Sequence, residues 1–389
     1  MISFVAGNLA TLLRNGAEYF PALEAAIDGA LRTVYLETYI FEDDTTGRRI
    51  AAALARAARR GVRTHLLLDG FGSRKLPKQV VDALLEAGAM VLWYRPATPP
   101  FRLSRRSLRR LHRKLAVIDG RLAFVGGINI VDDTLTSDPR MPPRFDYAVA
   151  IEGPLATDIQ AAVRRLWLQV AWVHLKRRWQ DHHPAPPRPE PRGDQHAAFL
   201  IRNNFRHRRD IQEAYLEAIA SARSEIVIAN AYFFPGRSFR HALIDAARRG
   251  VRVVLLLQGR VEYALLHYGS RALYGSLLDA GIEIHEYHRS FLHAKVAVID
   301  RRWATVGSSN IDPFSLLLAQ EANVVLLDRK FAGELRNSLE QALAEGTARI
   351  MQARWKQQPL GIRILSWLCY GLMRLFTGIS YRPDRTDPH

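Results

Sequence analysis

One cysteine, Cys369, serves the whole 389-residue chain. No intrachain disulfide can form, and zinc sites built from cysteines are excluded; a reducing compartment fits. Acidic residues are also few: 38 Asp and Glu stand against 55 Lys and Arg, leaving a formal charge of +17. That excess points to an anionic partner, either nucleic acid or an acidic membrane surface. Long apolar runs are missing too. The start, MISFVAGNLATLLRNG, has no basic stretch ahead of its apolar residues and meets Asn8 and Arg14 too early for a secretory signal or a span. It reads as a first strand and turn. Near the other end, Pro359 to Tyr381 is apolar but broken by Arg363 and Arg374, with ten residues between them. Ten are too few to cross a bilayer. With Trp367, Tyr370 and Phe376 the stretch suits a helix lying in a membrane interface.

What is present is a globular composition, 48% apolar and 24% charged, with enough chain for two domains with cores. It is also internally repeated. HRKLAVIDGRLAFVGGIN (His112 to Asn129) returns as HAKVAVIDRRWATVGSSN (His293 to Asn310), identical at eleven of eighteen positions with a fixed offset of 181 residues. AARRGVR occurs at Ala57 to Arg63, leading into THLLLDG, and again at Ala246 to Arg252, leading into VVLLLQG. TVYLETYIF parallels EIVIANAYFF further upstream. Each half reads strand, helix, strand, helix, strand, then motif, which favours an α/β sheet covered by helices. A helix over roughly Thr157 to Trp179 closes the first half, and the five prolines between Asp181 and His196 mark an extended linker. The expected domains are therefore 1–180, a linker at 181–197, 198–358, and an amphipathic tail at 359–389. A pseudo-twofold axis relating the halves would bring both motif copies into one site.

Within each motif, His and Lys stand two apart on a strand and so share a face (His112 and Lys114, His293 and Lys295), with Asn129 or Asn310 reaching it from the following turn. Asp119-Gly120 is a hairpin turn pair, so Asp119 and Asp300 have an obvious structural role. Two such clusters facing each other surround one anion with two imidazoles, two ammonium groups and two amides. A phosphodiester fits: the cations and amides stabilise its non-bridging oxygens in the transition state. One imidazole can attack phosphorus and the other protonate the leaving alcohol, two jobs that need two copies. Metal ions are not needed, and no cofactor is expected.

The duplicated pattern H-x-K-x₄-D-x₆-G-x₂-N resembles the phospholipase D superfamily. ETYIFEDD (Glu37 to Asp44) and FDYAVAIEGP (Phe145 to Pro154) make the chain similar to bacterial cardiolipin synthases, and the expected absence of N-terminal membrane helices makes it most similar to the short type. That resemblance implies two similar domains, each a mixed β-sheet flanked by helices, with one active site between them. It places His112, Lys114, Asp119, His293, Lys295 and Asp300 in the catalytic set and gives Asn129 and Asn310 the substrate phosphate. It further implies a carboxylate downstream of each motif that orients the imidazole: Asp146, 34 residues after His112, and Glu321, 28 after His293. His112 becomes the nucleophile and His293 the acid/base. The implied reaction is phosphatidyl transfer between two phosphatidylglycerols, releasing glycerol; a lipid hydrolase or a nuclease is the alternative. The basic stretch Arg102 to Lys114 and the aromatic tail favour anionic membrane over nucleic acid. One chain suffices for the site, and the expected location is the cytoplasmic face of the inner membrane, held peripherally.

Overall fold

The computed structural model describes residues 2–96, 109–134, 141–176, 179, 188–203, 207–312 and 319–378. Arg102, Arg105, Arg106, most of the proline stretch and the side chain of Phe376 lie outside them. In the first half the order is β1 (Val5–Arg14), α1 (Asn15–Asp28), β2 (Thr33–Thr38), α2 (Thr45–Arg59), β3 (Arg63–Gly70), α3 (Lys78–Glu86), β4 (Met90–Pro96), β5 (Leu115–Ile118), β6 (Leu122–Gly126), β7 (Tyr147–Glu152) and α4 (Leu155–Val173). The second half runs β8 (Gln195–Arg202), α5 (Asp210–Ser221), β9 (Glu225–Asn230), α6 (Arg237–Arg248), β10 (Arg252–Gln258), α7 (Ala264–Arg271), α8 (Tyr274–Asp279), β11 (Glu283–Tyr287), β12 (Lys295–Ile299), β13 (Trp303–Gly307), β14 (Glu321–Leu327) and α9 (Arg329–Gly346). β15 (Thr347–Arg349), α10 (Gln352–Lys356) and α11 (Leu360–Gly378) follow.

Equivalent helices form for equivalent reasons. α2 buries Ile50, Leu54 and Ala57, and α6 buries Phe239, Leu243 and Ala246, each set spaced i, i+4, i+7 along one face. Both end at the repeated glycine, Gly61 (φ +85°) and Gly250 (φ +89°), a left-handed position that ends a helix without steric cost. Asp44 starts α2 by accepting the Gly47 N–H at 2.7 Å.

The strands form one sheet in the order β15-β11-β10-β9-β12-β13-β14-β8-β1-β7-β6-β5-β2-β3-β4. Outward from the central β1–β8 pair, β7-β6-β5-β2-β3-β4 on one side answers β14-β13-β12-β9-β10-β11 on the other. The pseudo-twofold is thus written in the strand order. β2, β3 and β4 run parallel, as do β9, β10 and β11, while the motif hairpins and the central strands are antiparallel. Each half has a core of its own on the face covered by its helices: Leu23, Ile50 and Leu66 in the first, Ile219, Leu243 and Leu255 in the second. A further core joins the halves, packing Leu12, Val117, Val149 and Trp167 with Val227, Val296, Val324 and Leu335. Burial on this scale, about 2 kcal/mol for each large side chain, locks the halves together and fixes what lies between them.

Three local expectations shift. α4 ends at Val173 rather than near Trp179, with Leu175 in a left-handed conformation (φ 54°). β8 begins at Gln195, inside the stretch read as linker. The second half uses two short helices, α7 and α8, where the first uses α3.

Candidate active site

Four short parallel contacts end the motif strands, and two of them cross between halves. Leu111 bridges Gln320, with His112 N–H donating to the Gln320 carbonyl at 3.0 Å. Phe145 bridges Leu292, with His293 N–H donating to the Phe145 carbonyl at 2.8 Å. Each histidine therefore lies beside the residue that precedes the other half's carboxylate. The side chains pair accordingly. His112 Nδ1 lies 3.0 Å from Glu321 Oε1 and 3.1 Å from Oε2. His293 Nδ1 lies 2.7 Å from Asp146 Oδ2. The order of residues along the chain suggests that each motif is served by its own downstream carboxylate; the structure crosses them, because the backbone bridges cross. With Nδ1–H directed at a carboxylate, Nε2 of each ring is left as the reactive atom.

The backbone before each histidine is held in the same way from the neighbouring strand end. Asp69 accepts Leu111 N–H at 2.8 Å, and Gln258 accepts Leu292 N–H at 3.2 Å. These are the D and Q of the LLLDG and LLLQG repeats, a signal visible in the sequence that was not read as part of the site. Ser308 was also missed. It donates to Glu321 at 2.5 Å, whereas the equivalent Gly127 leaves room for Asp146: a Cβ there would lie 2.4 Å from its Oδ1. The longer carboxylate is bridged by a hydroxyl and the shorter one is admitted by the absence of a side chain.

Lys114 and Lys295 are buried beside the histidines. Lys114 Nζ donates to the His112 carbonyl at 2.8 Å, and Lys295 Nζ makes the matching bond to the His293 carbonyl. Burial, reinforced by Lys295, pushes the Lys114 ammonium down to about 7, and burial also lowers Lys295. His112 is lowered by burial although Glu321 pulls it back up. His293 falls well below the usual range through burial and then the charges of Lys295, Lys114 and Arg144. The carboxylates diverge. Burial raises Asp146 to about 6, while Glu321 ends below its ordinary value because His112, Lys114 and the Ser308 hydroxyl outweigh its burial. An anion entering here meets desolvated cations and reverses their shifts.

Asn129 accepts the Ile40 N–H at 3.2 Å and lines a cavity of about 170 Å³ with His293, Asp146 and Arg144. Asn310 is buried on the matching turn. Tyr39, at the end of β2, places its ring 5.1 Å from His112 and 5.4 Å from Lys114 Nζ. Tyr232 instead donates to Glu262 at 2.5 Å.

The structure places Asp119 and Asp300, expected in the catalytic set, apart from the histidines. Each sits at the far end of its motif strand from the histidine, in a left-handed turn position (φ 52° and 51°). Asp119 accepts the N–H groups of Leu31, Arg32 and Thr33 at 2.8–2.9 Å. Asp300 does the same for Arg223, Ser224 and Glu225 at 2.8–2.9 Å. A short side chain tied to three amides at one end of β5 or β12 cannot reach a phosphate at the other, some 15 Å away at about 3.3 Å per residue. Their work is to fasten the start of β2 and β9 to the motif hairpin. Among the described residues no group of His, Cys, Asp and Glu is arranged to hold a metal ion.

Paired imidazoles, each braced by a carboxylate and flanked by lysine in an interface between two like halves, define a phosphodiester-transfer site of the phospholipase D type. The family described as "Cardiolipin synthase, PLD-like domain" matches over residues 23–167 and 215–343, one match on each half. Cardiolipin synthase B of Escherichia coli (strain K12) is 41% identical over 383 residues, covering 98% of this chain and 91% of that protein. A cardiolipin synthase of Geobacillus kaustophilus is 31% identical over 361 residues, covering 91% of this chain and 69% of that protein. The chain belongs to the cardiolipin synthase family, phospholipid phosphatidyltransferases of the phospholipase D superfamily. Among solved structures, phosphatidylserine synthase of Haemophilus influenzae superposes with a TM-score of 0.73 over 97% of both chains at 14% identity, a likeness of fold alone.

Proposed function

We propose that the protein transfers a phosphatidyl group from one phosphatidylglycerol to another through a phosphohistidine. His112 Nε2 attacks phosphorus and the bond to the headgroup glycerol breaks. His293 gives that glycerol oxygen its proton, then removes one from a hydroxyl of the second phosphatidylglycerol as it attacks. Cardiolipin leaves and His112 is restored. Lys114, Lys295, Asn129 and Asn310 neutralise and hold the non-bridging oxygens.

The observation that carries this division of labour is the difference between the two carboxylates. Glu321 stays ionised and suits an imidazole that becomes cationic on phosphorylation. Asp146 holds Nδ1–H of His293 at 2.7 Å and leaves Nε2 to exchange the proton. Burial and the nearby cations keep that imidazole neutral in the free enzyme, and the charge of a bound phosphodiester favours its protonated form, so that general acid–base assistance can contribute about 10²–10⁴-fold. Because both substrates are lipids, the enzyme works as a peripheral protein on the membrane, at its cytoplasmic face, without needing a second copy of itself or nucleic acid. Among the described residues no helix is long and apolar enough to cross a membrane.

The test is a product assay with phosphatidylglycerol vesicles read by lipid mass spectrometry, wild type beside His112→Ala. Cardiolipin with released glycerol, lost in the variant, is expected. Phosphatidic acid as the sole product would make the protein a hydrolase instead.

A further inference from the structure

Away from the histidines, α6, the end of α7, α8, α10 and α11 border a groove of about 740 Å³, a volume usual for sites that take an organic ligand. Its walls are of two kinds. Leu273, Trp355 and Trp367 supply apolar surface, and four cations surround them: Arg240, Arg271, Lys356 and Arg363. Two of the cations are engaged, Lys356 with Asp279 at 3.2 Å and Arg271 with Glu286 at 2.8 Å. Arg240 and Arg363 have no carboxylate partner among the described residues. Asp279, the one carboxylate lining the groove among the described residues, is held by both Lys356 and Gln352. Ser366, only 4% exposed, lines the groove with a hydroxyl that has no hydrogen-bond partner in the protein. A buried orphan hydroxyl that shares one groove with two guanidinium groups lacking a carboxylate partner among the described residues is a donor set for a phosphate.

The surroundings say which phosphate. α11 is two-sided. Ser366 and Met373 face inward, and the Tyr370 ring lies 5.3 Å from Phe234, seating the helix on the second half. Leu368 (66% exposed), Leu372 and Leu375 (60%) form an outward apolar stripe, and Trp367 (57%) stands at the groove's lip. A headgroup in the groove would have its acyl chains beside that stripe, in the same lipid layer that the stripe itself would enter.

We propose that this groove binds the headgroup phosphate of an anionic phospholipid, at a lipid site separate from the catalytic cleft, and that the bound lipid holds α11 against the membrane. The inference rests on the phospholipid reading of the catalytic site only in placing the protein on a bilayer.

The experiment is co-sedimentation with phosphatidylcholine vesicles made with and without phosphatidic acid. Wild type is compared with Arg240→Glu/Arg363→Glu and with a matched reversal on the first half, Arg59→Glu/Arg121→Glu. Turnover of short-chain phosphatidylglycerol below its micelle concentration is followed in parallel. The expected result is a loss of anionic-vesicle binding on the order of tenfold in the groove variant only, with short-chain turnover kept. Equal losses in both variants would mean bulk charge and overturn the groove. Unchanged binding overturns it as well, and so does a simultaneous loss of short-chain turnover. If wild type turns over no phosphatidylglycerol in any form while the groove variant alone loses vesicle binding, the catalytic reading fails and the groove stands.

Discussion

Replacing Gly127 by alanine puts a Cβ 2.4 Å from Asp146 Oδ1, 2.6 Å from Oδ2 and 2.8 Å from Cγ. Ordinary contact begins at 3.4 Å, so the carboxylate has to retreat by about 1 Å. It cannot do so and keep the 2.7 Å bond to His293 Nδ1, because a hydrogen bond is spent beyond about 3.2 Å. A displacement of that size in a positioning group costs about 10²-fold in rate, or about 2.7 kcal/mol of transition-state stabilisation. The loss falls on kcat rather than KM, since the phosphate ligands are untouched. Cardiolipin formation in mixed micelles measures it, with a thermal melt to show that the variant is folded. The second readout is the Nδ1–H proton resonance: His293's moves in Gly127→Ala, and His112's stays, although Gly127 belongs to the motif of His112. A variant retaining kcat within about threefold, or one that disturbs His112 instead, would refute the crossed arrangement.

Asp119→Asn weakens three amide contacts and should lower unfolding stability by about 1–2 kcal/mol while leaving kcat per folded molecule nearly unchanged; a hundredfold drop in kcat, measured beside urea unfolding, would return Asp119 to the reacting set. Arg113 and Glu37 form a buried pair at 3.1 Å where the second half has Ala294 and Ala229. Arg113→Ala alone should cost about 3 kcal/mol in urea unfolding, and adding Glu37→Ala should recover much of it; a double variant as unstable as the single would contradict this. The Lys114 ammonium, pushed down to about 7, loses its charge as pH rises through that value in the free enzyme. kcat/KM for phosphatidylglycerol therefore falls above about pH 7, and the limb in kcat lies at higher pH because bound phosphodiester favours the charged form. The same depression makes folding stability rise with pH from about 7 towards the unfolded value of 10.5. A kcat/KM profile flat from about pH 6 to 9 would show that Lys114 does not titrate there.

Much of this was legible in the sequence because duplication preserves what both halves need. The 181-residue offset exposed the histidines, lysines and asparagines together, and the AARRG repeats exposed the helices that end at Gly61 and Gly250. What the sequence could not say is which half serves which. Asp146 and Glu321 carry no mark of their partners, and only the backbone bridges Leu111–Gln320 and Phe145–Leu292 decide it. Asp119 was legible in two ways, as the hairpin residue its Asp-Gly pair announces and, through the resemblance, as part of the catalytic set; the three amides it accepts favour the first. Gly127 and Ser308 occupy the same place in the two copies, and their difference follows from the length of the carboxylate each must accommodate.

The central claim is that two imidazoles from two halves divide one phosphoryl transfer, with His112 carrying the covalent intermediate. Phosphatidylglycerol labelled at phosphorus, mixed with enzyme and stopped within the first turnover by an alkaline denaturing quench, tests it directly. Peptide mapping should place the label on His112 in wild type and find none in His112→Ala. Label on His293, or cardiolipin formed in that first turnover with no labelled protein at all, would contradict the account.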